Sequence, residues 1–206
     1  MNSFETDIKR AICSINFIAG LIIESIILMQ SGIGSEMFQI SLPVLSAIPY
    51  STAWLTEYQS GYIKEYLPRC GRAPYILGKF LSCGISGGVL IMLSCLLPGL
   101  NSEDVQINLL LVFLSGMFWA VVAATLAAAA NSRYVAYGGS FVIFYMLVIL
   151  YERYFGNLYC LYPVEWYAPK HIWVLGDTGI VLMLTGFIII TGIIYYEILR
   201  RCMERV

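Results

Sequence analysis

Few residues in this 206-residue chain can carry chemistry, and their positions exclude most of it. His171 is the single histidine. The aspartates are Asp7, Asp104 and Asp177, and none lies inside a long apolar run. An intramembrane serine protease needs a Ser and a His facing each other within the bilayer. Here the His falls in a loop rich in aromatics and prolines. Prenyl-protein proteolysis needs paired Glu with buried His. Metal-dependent phosphatidyl-alcohol transfer needs several Asp on adjacent helices. Both sets are missing. There is no G-x-x-x-x-G-K phosphate loop, so the chain is not expected to hydrolyse ATP itself. Cys13, Cys70, Cys83, Cys95, Cys160 and Cys202 are scattered without a C-x-x-C pair, which argues against a metal site or a disulfide framework. Only Cys95 and Cys160 fall toward the same outer side, leaving room for one bridge.

Two polar residues interrupt the first apolar run, Asn16 and Glu24. An ionised carboxylate inside a span costs about 2.5–3.5 kcal/mol on insertion scales. Glu24 must therefore be protonated, paired or facing water. It either walls a translocation path or makes a helix contact near the outer interface. Asn16 is explained by a hydrogen bond to a neighbouring helix, or belongs to the same path. Further along, Tyr137, Phe141, Phe144, Val148, Tyr151 and Phe155 recur at spacings of four and three on one helix face. Such a face suits either amphiphilic cargo or packing and lipid contact. Gly84 and Gly88, and Gly116, Ala120, Ala124 and Ala128, are small residues at four-residue spacing. They let helices approach closely.

These residues must be positioned by membrane-spanning helices. Apolar residues make up 59% of the chain and charged residues 12%, with a net charge of −1. An ordinary soluble domain carries about 25% charged residues, and the near-neutral balance argues against a nucleic-acid partner. Six runs approach the roughly 20 apolar residues of a span: 12–29, 38–55, 74–97, 107–130, 135–151 and 178–199. The second is the weakest, with Pro43, Pro49 and several hydroxyls. Continuous rather than alternating apolar runs argue against a β-barrel. With the N-terminus in the cytoplasm, Lys9, Arg10, Lys64, Arg69, Arg72, Lys79, Arg133, Arg200, Arg201 and Arg205 lie inside. Only Arg153 and Lys170 lie outside, a clear positive-inside bias. Glu36, Glu103, Asp104, Glu152, Glu165 and Asp177 lie outside. The expected fold is all-α and polytopic, one transmembrane domain over 1–206 with six spans and both termini cytoplasmic.

The flanking pieces have their own signatures. Residues 1–13 read as an interfacial amphipathic helix, with Phe4, Ile8, Ala11 and Ile12 on one stripe and Asn2 and Glu5 resembling a capping box. Residues 152–177 hold Pro163, Pro169, Trp166 and Trp173. They read as two short helices in or on the outer leaflet, with the tryptophans at the interface. The inner loop 56–73 includes a short helix over 57–67, ended by Pro68 and Gly71, with Pro74 opening the next span. This loop is either a rigid lever for a soluble partner or an ordinary solvated connection.

The stretch 54–79 carries Glu57, Gly61, Lys64, Arg69, Arg72, Tyr75 and Lys79. In this order and place it resembles the permease subunit of ABC transporters of the type-two exporter family. The resemblance implies a coupling helix contacting cytoplasmic ABC ATPase subunits, with Lys64 and Arg69 making charged contacts and Tyr62, Ile63 and Tyr66 apolar ones. It also implies a second permease copy completing a path for a drug, peptide or lipid-like substrate. ATP and Mg would sit in the ATPase, with no cofactor in this chain. The implied location is a bacterial plasma membrane. Asn16, Glu24, Tyr137, Phe141, Phe144 and Tyr151 are the candidate path residues. Two other classes stay open. One is the substrate-capturing membrane subunit of a vitamin importer. The other is a non-transporting immunity or scaffold protein.

Overall fold

The computed structural model describes residues 3–33, 35–99, 108–171, 173 and 175–204. Asn2, Glu103, Asp104 and Arg205, singled out above, lie outside them. So does the side chain of Arg69. Among the described residues, nine α-helices follow in order: α1 Ser3–Ile12, α2 Ile15–Ser31, α3 Glu36–Leu45, α4 Ala53–Gln59, α5 Tyr62–Cys70, α6 Arg72–Gly99, α7 Leu109–Ala130, α8 Arg133–Arg153 and α9 Asp177–Met203. Two 3₁₀ turns, Tyr159–Leu161 and Pro163–Trp166, lie between α8 and α9. Among the described residues there is no strand.

Among the described residues, four helices are long and apolar enough to cross a membrane: α6, α7, α8 and α9. α1 and α2 make a fifth if counted as one span bent by 49°. α2 alone has 17 residues, about 26 Å at 1.5 Å per residue, which is short of the roughly 30 Å hydrocarbon core. Ser14 sets the bend. Its hydroxyl donates to Ala11 O at the end of α1 and accepts from Phe17 N at the start of α2. It thereby terminates one helix and caps the next.

The run 38–55 is not a continuous span. α3 stops at Leu45, tight turns occupy 46–52, and α4 is only 7 residues long. The cause is local. Ala47 N donates to Val44 O and Ile48 N to Leu45 O, three residues back, and Pro49 has no N–H to restore the helical ladder. Pro43 O loses its ladder partner and instead accepts from Ser46 Oγ and from Ser140 Oγ of α8 at 3.2 Å. Irregular backbone at membrane depth is tolerated only when neighbouring helices satisfy it in this way.

α7 is the centre. It is apolar all round, as a helix enclosed by others must be, and packs against α6, α8 and α9. The α6–α7 contact uses small residues picked out by their spacing, among them Gly88, Gly116 and Ala120, together with Gly87, which that spacing did not mark. A Cβ on Gly87 would overlap Ala120 Cβ and lie 2.6 Å from Ser46 O, and one on Gly88 would lie 2.7 Å from Phe113 O. Gly87 therefore receives both α7 and the broken segment. Trp119 sits between Phe144 of α8, at 5.3 Å between ring centroids, and Trp166, at 5.9 Å. Trp166 is thus a core residue, 1% exposed, and not an interfacial anchor. The segment 163–167 is buried throughout and plugs the bundle.

α1 is also turned differently from its apolar stripe. Asp7 and Ala11 are buried, whereas Phe4 and Ile12 are exposed. A Cβ on Gly78 of α6 would meet Phe4 N at 3.8 Å and Asp7 Oδ2 at 3.9 Å, so α1 lies directly on α6. Cys95 is buried, Cys160 is exposed and both are free, so the bridge considered above does not form.

Gly87→Ala should destabilise the protein by about 1–3 kcal/mol, the usual cost of overpacking, read as a lower melting temperature in detergent. Gly138→Ala, where the added Cβ has no neighbour within 4 Å, should leave the melting temperature unchanged or raise it.

Candidate functional site

The residues with the strongest electrostatics meet at the end of the bundle that carries α1 and α5. Lys79 stands one turn beyond Tyr75 on the same face of α6. Its ammonium is buried, 3% exposed. It donates to Asp7 Oδ1 of α1 at 2.8 Å, Glu57 Oε1 of α4 at 2.6 Å and Tyr50 OH of the 46–52 turns at 2.9 Å. All three ammonium protons are used. Tyr50 OH donates to Asp7 Oδ1 at 2.7 Å, and Tyr75 OH donates to Glu57 Oε2 at 2.6 Å. The Tyr50 and Tyr75 ring centroids lie 5.1 and 5.5 Å from Nζ, close enough for cation–π attraction. Arg10 reaches Glu57 at 3.9 Å, so two carboxylates balance two cations.

Taking such charges out of water costs several kcal/mol per ion, repaid only with full hydrogen bonding. The Lys79 ammonium meets that condition, whereas Asp7 Oδ2 is buried without a hydrogen-bond partner. The cluster joins α1, the 46–52 turns, α4 and α6 at one point. A cavity of 510 Å³ lies beside it, with Asp7, Arg10, Glu57 and Lys79 on one side and Tyr62, Tyr66 and Cys70 of α5 on the other.

α5 is set off from its neighbours by two glycines. Gly61 has φ +76° and Gly71 φ +77°. No heavy atom lies within 4 Å of a Cβ at Gly61, so the left-handed backbone and not crowding calls for glycine there. The expected single helix over 57–67 is therefore two helices, α4 and α5, broken at Ser60 and Gly61. Pro68 lies inside α5, and Gly71 ends it. Pro74 sits in the first turn of α6 as expected. Tyr62 and Lys64 are exposed on α5, and Tyr62 stacks on Tyr66 at 5.4 Å. Ile63 is 2% exposed and packs inward. Arg72 is exposed at the start of α6. Lys79 and Glu57, read from sequence as residues of an inner loop and its edge, are instead parts of a neutralised interior.

The candidate path residues have separate neighbours. Asn16 is exposed on α2. Glu24 is fully buried and accepts from Ser41 Oγ of α3 at 3.0 Å. Phe144 belongs to the Trp119 cluster. Tyr151 stacks on Tyr162 at 4.5 Å, and Tyr137 and Phe141 are half-buried. Among the described residues, no group of three or more His, Cys, Asp or Glu is placed to hold a metal.

Asp7 and Tyr50 are the residues that sequence reasoning missed. A signal for Asp7 existed. It stands three residues after Phe4 and four before Ala11, on the same face as the apolar stripe. A carboxylate there needs a buried cation. Tyr50 gave no comparable signal.

At the opposite end, Glu165 orders the connection before α9. Its Oε2 accepts from Lys170 N at 2.9 Å and His171 N at 3.2 Å, and its Oε1 lies 2.9 Å from His171 Nδ1. The His171 ring stacks on Tyr159 at 4.9 Å. Burial pushes the Glu165 carboxyl up, but the His171 ring and the two backbone donors outweigh it and hold the carboxyl below its ordinary value. Comparison with protein-family models, curated proteins and solved structures gives no match.

Lys79→Met should cost about 3–5 kcal/mol, because Asp7 and Glu57 are left buried without their cation. Asp7→Asn added to Lys79→Met should recover part of the loss, measured by thermal unfolding in detergent. Glu165 has a lowered folded-state value, so its contribution is complete above the ordinary carboxylate value near 4.3. That contribution is lost as pH falls through the folded-state value. The melting temperature should hold between pH 7 and 5 and drop below about pH 4, with a shallower drop in Glu165→Gln.

Proposed function

We propose that this chain is a membrane permease subunit of an ABC exporter and that α5 is its coupling helix. The observation that carries the proposal is the Lys79 cluster. It ties α1, the broken segment, α4 and α6 together beside a short helix bracketed by two glycines of positive φ. A partner pressing on α5 would move four elements as one body, and that is how a soluble motor would act on helices in a membrane. Lys64 and Tyr62 are exposed on α5 to meet that partner, and Arg69 belongs to the same helix.

Two ATPase subunits carrying ATP and Mg would supply the energy, since the chain has no phosphate loop of its own. A second permease copy would complete the path. The ATPase drives such a change only if its contacts with α5 differ between the two states. The four apolar helices α6 to α9 suit a multi-pass plasma-membrane location. The substrate class offered is amphiphilic, by analogy with the resembled exporters.

The test is purification from native membranes in mild detergent, with sequencing of the co-purifying chains. A stoichiometric partner containing G-x-x-x-x-G-K-[ST] is expected. In the reconstituted complex, Lys64→Glu with Arg69→Glu should abolish transport-stimulated ATPase activity while expression and melting temperature persist. Unchanged stimulation in that variant would remove the coupling assignment. A second membrane coupling protein in the preparation would favour the vitamin-importer class. No ATPase at all would favour the scaffold class.

A further inference from the structure

Two hollows lie near one another on the bundle surface, one between α6 and α9 and one between α5 and the ends of those two helices. The first, of 380 Å³, has Phe80, Ile76 and Tyr195 as its floor and the exposed Leu81 and Ile193 on its walls. Gly192 keeps it open. A Cβ there would meet the Phe80 ring at 3.1 Å, and the missing side chain leaves a furrow on the bundle surface. Its lining is hydrocarbon apart from the tyrosine hydroxyls, and it lies on helices that cross the membrane. The second hollow, of 460 Å³, lies at the α5 end, over Ile63, Leu67 and Met203, with Lys64 and Arg72 at its rim. Both cations are exposed, and among the described residues neither pairs with a carboxylate.

The dimensions fit one kind of molecule. From Arg72 to Leu81 the rise along α6 is roughly 14 Å, which is close to half of the ~30 Å hydrocarbon core. Taken together along this α6–α9 seam, the two hollows cover about the depth of one leaflet, the first apolar and the second cationic at its rim. A neutral amphiphile would make no use of the exposed cations Lys64 and Arg72. A soluble anion would leave the furrow unused. We infer that this seam binds one anionic phospholipid of the leaflet on the α5 side, with an acyl chain in the furrow and its phosphate between Lys64 and Arg72. Basic residues at the membrane surface favour such headgroups. The inference shares Lys64 with the transport proposal but does not rest on it, since it concerns the isolated chain and no ATPase.

The test uses the full chain in nanodiscs of equimolar phosphatidylglycerol and phosphatidylcholine, with retained lipids counted by native mass spectrometry. One phosphatidylglycerol should be retained per chain, preferred roughly tenfold or more over phosphatidylcholine. Arg72→Gln should reduce that preference several-fold, and it separates this site from α5, where Lys64 also serves the proposed ATPase contact. Ile193→Trp, at an exposed wall position, should displace the acyl chain and lower retention at an unaltered melting temperature. Ile189→Trp, one turn along, repeats the test if the first variant is unstable. Equal retention of both lipids would overturn the inference. So would retention unchanged in the Arg72 and furrow variants, or displacement of the lipid by glycerol phosphate lacking acyl chains.

Discussion

A charge inside an apolar bundle is costly unless hydrogen bonds match it. The Lys79 ammonium is matched at all three protons, and the elements around it are arranged to supply the partners, although Asp7 Oδ2 stays buried without a hydrogen bond. α1 lies flat against α6 at Gly78 and not along its own apolar stripe, because Asp7 must reach the ammonium. The helix after the broken segment is oriented so that Glu57 faces inward. Tyr50 projects from turns that would otherwise be only a connection. Removing the lysine would withdraw the reason for the position of three separate segments.

The same rule shapes the middle of the molecule. Once Pro49 prevents the second run from continuing as a helix, the carbonyls near Pro43 need donors from elsewhere. Ser140 of α8 supplies one, and Gly87 of α6 provides the room for Ser46 to sit deep. The small residues of α6 thus serve two purposes. They bring α7 close, and they seat a length of irregular backbone that lipid would not tolerate. The break, in turn, aims α4 and delivers Tyr50 and Glu57 to the cluster.

What sequence made visible was whatever is written in one helix at a time. Hydropathy located α6 to α9, the spacing of Gly84, Gly88, Gly116 and Ala120 marked the tight pair, and Pro74 and Gly71 bounded the neighbouring helices. The weak second run was recognisable by its prolines, but its consequence was not. A broken helix and a kinked span have similar compositions. The Lys79 cluster joins positions 7, 50, 57, 75 and 79, and no local periodicity encodes such a meeting. Lysine and glutamate near a predicted loop read as solvated by default. Trp166 misled for a related reason, since an aromatic near a span end fits the interface equally well until Trp119 and Phe144 are seen around it.

That tryptophan also bears on the order in which the protein assembles. Trp119 is synthesised well before Trp166, and α8 separates them, held to its neighbours mainly through Ala136, Ser140 and Phe144. The centre of the bundle therefore stays open while α6, α7 and α8 enter the membrane. It closes only when the 163–167 plug and α9 arrive. Contacts of long sequence separation form late and slowly. A ribosome stalled between α8 and α9 would leave a bundle with a slot beside α7 instead of a smaller stable protein, and membrane quality control would meet it as an unfinished chain.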